Sequence, residues 1–526
     1  MKRLFAMFMA LALTALVPLS AQASGGHDLN GAELSILWVV PFVCMLLSIA
    51  IGPLAVPHFW HHHFGKVALF WGLAFLVPCA MVFGLQLAVY QFVHVLFMEY
   101  VPFIILLFAL FTIAGGVRLK GQLVGTPVVN AGLLALGTIL ASWMGTTGAA
   151  MLLIRPLLRA NEHRKYRMHI VVFFIFLVAN IGGSLTPLGD PPLFLGFLKG
   201  VSFFWTTVHL FCKTVLLSVI LLGIFFLLDT FLFSKEGKPK PATQSNEKLG
   251  LDGKVNLLLL IGVVISVLMS GIWKPESGFE IYGTHIELQN AARDVILLAL
   301  AGASLALTTK ECRKLNNFTW EPILEVAKLF IGIFISMIPA IAILRAGTDG
   351  ALAGVINMVF HEGQPVNAMF FWLTGILSSF LDNAPTYLVF FNTAGGDAVH
   401  LMTDWTETLS AISAGAVFMG AVTYIGNAPN FMVRSIAEDL AARGKQAVYE
   451  PRDVTREEDC RRLVEKAVSS FGRIDVLSCN AGISMRALFD EVDLGVLKRL
   501  MDVNFWGTVY CTKYALPYIQ ASRGSI

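Results

Sequence analysis

Two aspartates lie inside strongly apolar stretches of this sequence, where a carboxylate is costly to bury. Asp190 follows "NIGGSLTPLG", and Asp382 follows "TGILSSFL". A charged side chain at the centre of a bilayer costs at least about 2.5–3.5 kcal/mol, so an acid in such a stretch indicates a functional site. A carboxylate that binds either Na⁺ or H⁺ is the simplest chemistry for exchanging the two ions. The alternative is that each aspartate only caps the N-terminus of a half-helix.

Neutral polar side chains accompany the two acids at four breaks in the apolar pattern. Glycine and proline at these breaks free backbone groups from the helical ladder, and the hydroxyl and amide oxygens nearby are hard donors that suit Na⁺. The alternative role of such residues is interhelical hydrogen bonding, which contributes only about 0.6 kcal/mol on average. The predicted ion- or substrate-binding residues are Thr146, Thr147, Asn180, Ser184, Thr186, Asp190, Ser378, Asp382, Asn383, Thr386, Thr423 and Asn427.

The composition indicates a membrane protein and excludes several other classes. Of the 526 residues, 56% are hydrophobic and 14% are charged, whereas an ordinary soluble domain carries about 25% charged residues. The formal net charge of +3 gives no indication of nucleic-acid binding. The seven cysteines form no CxxC pair, so we expect neither a metal site nor a disulfide framework.

Several apolar runs reach the roughly 20 residues that a membrane-spanning helix requires. They lie near 34–56, 67–90, 95–115, 202–232, 255–273, 293–309 and 321–344. Basic segments such as "GVRLKG" and "RPLLRANEHRKYR" fall on one side, which the excess of Lys and Arg marks as cytoplasmic. Residues 1–23 have the pattern of a cleaved secretory signal peptide, and the alternative is an uncleaved first transmembrane helix.

The apolar runs divide into two membrane halves, 24–233 and 256–437, joined by a polar linker at 234–255 that we expect in the cytoplasm. Each half contains a polar-tipped hairpin followed by an interrupted helix, and the halves have opposite orientations. Inverted repeats with discontinuous helices are typical of secondary transporters, whose binding site lies at the corresponding breaks. The predicted fold class is therefore an all-α polytopic membrane protein with two inverted repeats, re-entrant hairpins and discontinuous helices.

Longer motifs at these positions resemble a known family. "GTTGAAMLLIRPLLRAN", "VANIGGSLTPLGDPPLFLGFL", "FLDNAPTYLVFFN" and "AVTYIGNAPNFMV" are similar to the ion transporter superfamily, specifically to bacterial sodium/proton antiporter-like proteins grouped with citrate transporters. The resemblance covers residues 1–437. It implies re-entrant hairpins, a homodimer and a bacterial inner-membrane location, with a final helix after Arg434 that this second half lacks.

The expected function is secondary active transport, with Na⁺/H⁺ antiport through a midplane site that two hairpin tips and two broken helices form. The alternative is cation-coupled transport of citrate or a dicarboxylate, in which the hairpin tips and half-helix N-termini hold the anion. The expected partners are the lipid bilayer and small ions or a small carboxylate. We expect no bound cofactor and no metal beyond the transported Na⁺.

The composition changes at about residue 438. Residues 438–526 form a partial soluble α/β fragment, Rossmann-like, which we expect in the cytoplasm. It resembles the middle of a short-chain dehydrogenase/reductase, and the simplest account is a fused or chimeric gene. The resemblance implies vestigial cofactor-binding positions at Asp453, Asn480 and Gly482.

No glycine-rich phosphate-binding turn precedes this fragment, and the catalytic Ser and Tyr-x-x-x-Lys of the family do not occur in it. The first βα turn normally supplies the helix N-terminus that holds the pyrophosphate. We therefore expect no NAD(P) binding and no enzyme. The alternative from another class of function is a membrane-tethered NAD(P)-dependent oxidoreductase.

Overall fold

The computed structural model describes residues 29–121, 123–237, 239, 250–316, 318–423, 426–427, 429–430, 432–434, 436–437, 452–479, 481, 493–522 and 524–526. The chain divides into two compact units, Met1–Asp439 and Leu440–Ile526, and each is described by itself. The predicted signal peptide and half of the predicted linker lie outside the described residues.

Within the described residues, eight helical segments are long and apolar enough to cross a membrane. They are Ile36–Pro53, His62–Phe83, Leu85–Ala114, Pro127–Met144, Trp205–Lys235, Val255–Ile272, Leu288–Leu307 and Glu321–Arg345. The first unit is therefore a polytopic helical membrane protein, as the composition predicted.

The first half of this unit contains nine α-helices within its described residues. They are α1 (Val40–Ala55), α2 (Pro57–Phe83), α3 (Leu85–Val95), α4 (Val101–Ala114), α5 (Pro127–Met144), α6 (Thr146–Ala160), α7 (Met168–Leu177), α8 (Pro191–Leu198) and α9 (Trp205–Lys235). Short 3₁₀ turns lie at Gly31–Glu33, Ile36–Val39 and Ile181–Gly183, and a π-helical turn joins α3 to α4 at Leu96–Tyr100.

The second half contains a similar series of helices. They are α10 (Val255–Ile272), α11 (Leu288–Leu307), α12 (Lys310–Leu315), α13 (Glu321–Arg345), α14 (Ala353–Val359), α15 (Asn367–Phe380), α16 (Asn383–Thr393), α17 (Ala398–Thr403) and α18 (Thr406–Met419). Short antiparallel pairs join β1 (Arg118–Lys120) to β2 (Gly250–Asp252), β3 (Gly278–Ile281) to β4 (Thr284–Glu287), and β5 (Phe360–His361) to β6 (Gln364–Pro365).

One predicted span has different limits in the structure. The apolar run at 67–90 predicts a single helix, but α2 ends at Phe83 because Gly84 adopts φ +93° and ψ +150°. A side chain with a Cβ rarely adopts that conformation, so glycine ends the helix although the sequence stays apolar. The next span begins at Leu85 and runs through the π-helical turn to Ala114.

The helices of the first unit divide into outer and inner sets. α9 has large apolar side chains such as Leu216, Val219 and Leu227 more than half exposed, as expected of a helix that faces lipid. α13 lies inside and packs against α2 and α16. The Phe103 ring stacks on Phe330 with centroids 4.8 Å apart, which ties α4 to α13.

Two helical hairpins position the polar breaks. α5 and α6 pack against each other and turn at Gly145, whose φ of +80° and ψ of +148° favour glycine. α15 and α16 turn at Leu381 and Asp382, and the Asp382 carboxylate accepts a hydrogen bond from the backbone N–H of Ala384 at 3.0 Å. The predicted hairpins are therefore present, with polar residues at both tips.

The C-terminal unit contains α19 (Glu457–Phe471), α20 (Leu494–Met501) and α21 (Gly507–Ser522) in its described residues. Val464 of α19 packs with Ala515 and Ile519 of α21 in a small apolar cluster. The predicted strand at 474–479 forms a single parallel bridge, Val476 with Ser525. The predicted strand at 446–451 lies outside the described residues.

Replacing Gly145 with alanine tests the first hairpin turn. The residue at this position must adopt a backbone conformation that costs a side chain about 1–3 kcal/mol. We expect Gly145→Ala to lower the melting temperature of the detergent-solubilised chain, measured by intrinsic fluorescence.

The matched control is Gly132→Ala in the same hairpin. Gly132 lies inside α5, and a Cβ there would meet no atom within 4 Å. Alanine is the better helix former, so Gly132→Ala is expected to keep or raise the melting temperature. Equal melting temperatures for the two variants would contradict the role of Gly145.

Candidate ion-binding site

Asp190 lies at the centre of a buried group of four polar side chains. Its Oδ1 accepts hydrogen bonds from Thr146 Oγ1 at 3.2 Å and from Asn427 Nδ2 at 2.9 Å. Its Oδ2 accepts a hydrogen bond from Asn383 Nδ2 at 2.6 Å. All four residues are at least 99% buried. We call Thr146, Asp190, Asn383 and Asn427 the Asp190 cage.

The four residues of the cage come from the four predicted breaks. Thr146 and Asn383 are the first residues of α6 and α16, at the two hairpin tips. Asp190 immediately precedes α8, where Pro191 and Pro192 begin the helix. Asn427 follows α18 in the second interrupted segment. The structure therefore brings one residue from each of the four breaks together, and their role in binding an ion stays a prediction.

The two predicted acids have different surroundings. Asp382 caps its own helix through Ala384, which is the alternative role that the sequence left open. Asp190 occupies the N-cap position of α8 but makes no capping hydrogen bond there, and its carboxylate accepts only from the three cage side chains. Asp382 is only partly buried, whereas Asp190 is fully buried.

Two amide oxygens in the cage have no partner. Oδ1 of Asn383 and Oδ1 of Asn427 are buried and accept no hydrogen bond within the described part of the chain. Both amides direct their N–H groups to Asp190, which leaves their oxygens free beside the carboxylate. Leaving a buried acceptor without a partner lowers stability by about 1–3 kcal/mol. We therefore expect these oxygens to bind a hydrogen-bond donor or a cation.

Matching hydrogen bonds occur in the two halves of the membrane unit. Thr186 Oγ1 donates to the Ser142 carbonyl, and Thr423 Oγ1 donates to the Ser379 carbonyl, across 44 residues in both cases. Each bond joins an interrupted segment to the hairpin of its own half.

The backbone repeats this correspondence at the hairpin tips. Thr146 N–H donates to the Gly189 carbonyl at 2.9 Å, and Asn383 N–H donates to the Gly426 carbonyl at 3.2 Å. In this register Thr146 corresponds to Asn383, and Asp190 corresponds to Asn427. The cage is therefore built from equivalent positions of the two halves.

Asn180 supports the cage without contacting Asp190. Its Oδ1 accepts from Asn427 Nδ2 at 3.1 Å, and its Nδ2 donates to Asn430 Oδ1 at 2.6 Å. Asn430 donates in turn to the carbonyls of Gly420 and Thr423. This chain of amides joins the interrupted segments of the two halves.

The remaining predicted residues lie outside the cage and bond to backbone or to each other. Ser184 pairs with Thr214 at 2.7 Å, Ser378 donates to the Ala416 carbonyl, and Thr386 donates to the Asp382 carbonyl. Thr186 and Thr423 brace the hairpins as described above, and Thr147 is half-buried without a contact to Asp190. Ser184, Ser378, Thr186 and Thr423 thus bond between elements, which was the alternative role, whereas Thr386 bonds within its own helix.

Sequence reasoning missed two buried polar features. Ser142 donates from Oγ to the Gly182 carbonyl at 2.5 Å and accepts from Leu185 N–H, so it fastens the first hairpin to the break before Asp190. Asp229 interrupts the apolar run "FFLLDTFLF" and pairs with Arg164 at 2.5 Å. The run itself was the available signal for Asp229, but the Arg164 partner comes from a distant segment.

Membrane-crossing helices that break around a buried carboxylate define a polytopic membrane transporter. The family comparison agrees with this class. The chain belongs to the family described as "Putative citrate transport", which it matches over residues 31–444. The resemblance predicted from the motifs is confirmed at this level.

The C-terminal region matches a second family, described as "short chain dehydrogenase", over residues 411–526. The chain is 49% identical over 75 residues to 11-beta-hydroxysteroid dehydrogenase A of Arachis hypogaea, which covers 14% of this chain and 22% of that protein. It is 42% identical over 96 residues to 11-beta-hydroxysteroid dehydrogenase A of Sesamum indicum, which covers 18% of this chain and 28% of that protein. The chain thus spans only about a quarter of the length of these relatives.

These matches correct one expectation. The sequence analysis expected no enzyme, because the fragment lacks the glycine-rich turn and the catalytic motif of the family. That expectation is wrong, since the match to the dehydrogenase family and to its curated members points to an oxidoreductase.

The predicted cofactor positions are only partly described. Asp453 is exposed, and its Oδ1 accepts from Thr455 Oγ1 at 2.8 Å and from Thr455 N–H at 3.0 Å. The hydrogen bond from the Thr455 hydroxyl holds the pKa of Asp453 below its ordinary value. Asn480 and Gly482 lie outside the described residues. The expected absence of NAD(P) binding stays a prediction.

A titration with a nicotinamide nucleotide tests that prediction. The expectation rests on the sequence before Asp453, which lacks the glycine-rich turn whose helix N-terminus normally holds the pyrophosphate. We expect NADH or NADPH, added to the purified full chain, to give no saturable change in nucleotide fluorescence up to millimolar concentration. Saturable binding that Asp453→Ala weakens would contradict the prediction.

Proposed function

We propose that this protein is a secondary active transporter that exchanges Na⁺ for H⁺ at the Asp190 cage. The observation that carries the proposal is the convergence of one carboxylate and two unpartnered amide oxygens in a buried site. Na⁺ is coordinated by hard oxygen donors, and the same carboxylate can take up a proton in place of Na⁺. Only one of the two ions binds at a time, so their transport is coupled.

The charges around the cage favour a cation over an anion as the transported species. Every hydrogen bond that Asp190 accepts in the described part of the chain comes from a neutral hydroxyl or amide. A buried carboxylate without a compensating positive charge is strongly disfavoured, and Na⁺ or H⁺ supplies that charge.

Citrate remains the second candidate substrate because the family description names citrate transport. A citrate anion at the cage would have to approach the Asp190 carboxylate, and like charges repel strongly in a low-dielectric site. The geometry therefore supports cation exchange better than anion binding at the cage.

We also propose that the two halves of the membrane unit are inverted repeats and that their hairpins are re-entrant. The matching hydrogen bonds of the two halves support inverted repeats. The hairpin tips, with Gly145 in one and Asp382 in the other, support re-entrant hairpins. The resemblance supports a homodimer in a bacterial inner membrane, and the basic segments near the cytoplasmic ends of the spans support a cytoplasmic C-terminal unit.

Replacing Asp190 with asparagine tests the assignment. A hydrogen bond or contact to a charged group contributes about 1.5–3 kcal/mol, so loss of the charge is expected to weaken Na⁺ binding by at least about tenfold. The same variant is expected to lose the Na⁺-dependent pH change in proteoliposomes that contain a trapped pH dye.

The matched control is Asp382→Asn. Asparagine caps a helix about as well as aspartate, so α16 keeps its N-cap. Because Asp382 lies outside the cage, we expect this variant to retain Na⁺ binding within about threefold of wild type. Equal losses in the two variants would contradict the assignment of the site to Asp190.

The pH dependence of Na⁺ binding provides a separate test. Only the deprotonated carboxylate of Asp190 can bind Na⁺, so protons compete with Na⁺ for the site. Below the pKa of Asp190 the apparent Kd for Na⁺ is expected to rise about tenfold per pH unit, and above it the Kd is expected to be constant. A Kd for Na⁺ that does not change between pH 5 and pH 9 would contradict exchange at a carboxylate.

A further inference from the structure

The two halves of the membrane unit place different charges at equivalent positions of the cage. Thr186 and Thr423 make the same bond to a serine carbonyl, and Gly189 and Gly426 accept the same backbone bond. In that register Asp190 corresponds to Asn427. One half therefore supplies a carboxylate where the other half supplies a neutral amide of nearly the same shape.

We propose that Asn427 sets the valence of the transported ion, by limiting the cage to a single negative charge and so restricting it to monovalent cations. The proposal rests on the proposed cation exchange at Asp190. It assigns to Asn427 a role in selectivity that is distinct from holding the ion.

The orientation of the Asn427 amide supports this role. Its Nδ2 donates to the Ala179 carbonyl at 3.1 Å, to Asn180 Oδ1 at 3.1 Å and to Asp190 Oδ1 at 2.9 Å. These bonds fix the amide, so its unpartnered Oδ1 is a neutral oxygen beside the carboxylate. Asn383 donates from Nδ2 to the other carboxylate oxygen of Asp190, Oδ2, and its own Oδ1 accepts no hydrogen bond among the described residues.

The charge balance decides which ion the cage accepts. Na⁺ and the Asp190 carboxylate together are neutral, whereas Ca²⁺ in the same cage would leave one buried positive charge without a partner. Burying an unpaired charge is strongly unfavourable, and Ca²⁺ sites reach high affinity by adding carboxylates. Asp382 does not supply the missing ligand, since its carboxylate caps α16 and contacts no cage residue among those described.

The test compares Na⁺ and Ca²⁺ binding by the purified full chain, with ²²Na⁺ and ⁴⁵Ca²⁺ in a scintillation proximity assay. Wild type is expected to bind Na⁺, and Ca²⁺ at equal concentration is expected not to displace it. Asn427→Asp adds a second carboxylate beside Asp190 and is expected to raise Ca²⁺ affinity by at least tenfold.

Asn430→Asp is the matched control. Asn430 is equally buried and close in sequence, but it bonds to Asn180, Gly420 and Thr423 and has no hydrogen bond to Asp190. A carboxylate there is expected to leave Ca²⁺ affinity within threefold of wild type. An equal gain in Asn430→Asp would overturn the proposal, because any buried acid would then have the same effect.

Asn383→Asp keeps the test decisive if Asn427→Asp does not fold, which size-exclusion chromatography detects. It adds the second carboxylate from the opposite side of Asp190 and is expected to give the same gain in Ca²⁺ affinity. Folded variants that bind Na⁺ but gain no Ca²⁺ affinity would overturn the role of Asn427. A wild-type chain that binds Ca²⁺ as tightly as the variants would also overturn the role of Asn427. A wild-type chain that binds no Na⁺ would instead refute the proposed function.

Discussion

The structure depends on the hydrogen bonds that the buried Asp190 carboxylate accepts and on how its negative charge is compensated. Only neutral groups bond to it, and they come from the hairpin of its own half and from both polar breaks of the other half. Such a carboxylate is stable only with a bound cation or proton, because a buried charge without compensation is too costly. These side chains meet at one point because the helices break there. The glycines at the turns and the prolines that begin α8 produce these breaks.

Much of this arrangement is predictable from the sequence because membrane burial makes each polar residue informative. The apolar runs predict the spans, and the acid and prolines of "LGDPP" predict the break at Asp190. These signals come from residues that are close together in the sequence, so they can be recognised before the fold is known.

Other features depend on tertiary contacts and have no local signal. From the sequence alone Asp190 and Asp382 are equally strong candidates, since each follows an apolar run and has a proline within the next three residues. Only the folded chain distinguishes them, because Asp382 bonds to the backbone of Ala384 and Asp190 bonds to side chains of both halves. The end of α2 at Phe83 was missed for a similar reason, as the apolar pattern continues past Gly84. In the C-terminal unit the absence of expected motifs misled the prediction, since the similarity to dehydrogenases lies in the residues that are present.

The amides that join the two halves restrict the motions open to the molecule. Asn427 donates a hydrogen bond to Asn180, and Asn180 donates one to Asn430. If the interrupted segments separated, these three buried amides would lose those hydrogen bonds. Sliding one hairpin alone would carry the same penalty at Asn383. In the proposed ion exchange, the ion would reach either face of the membrane through displacement of these inner segments as one rigid body against the lipid-facing helices around them.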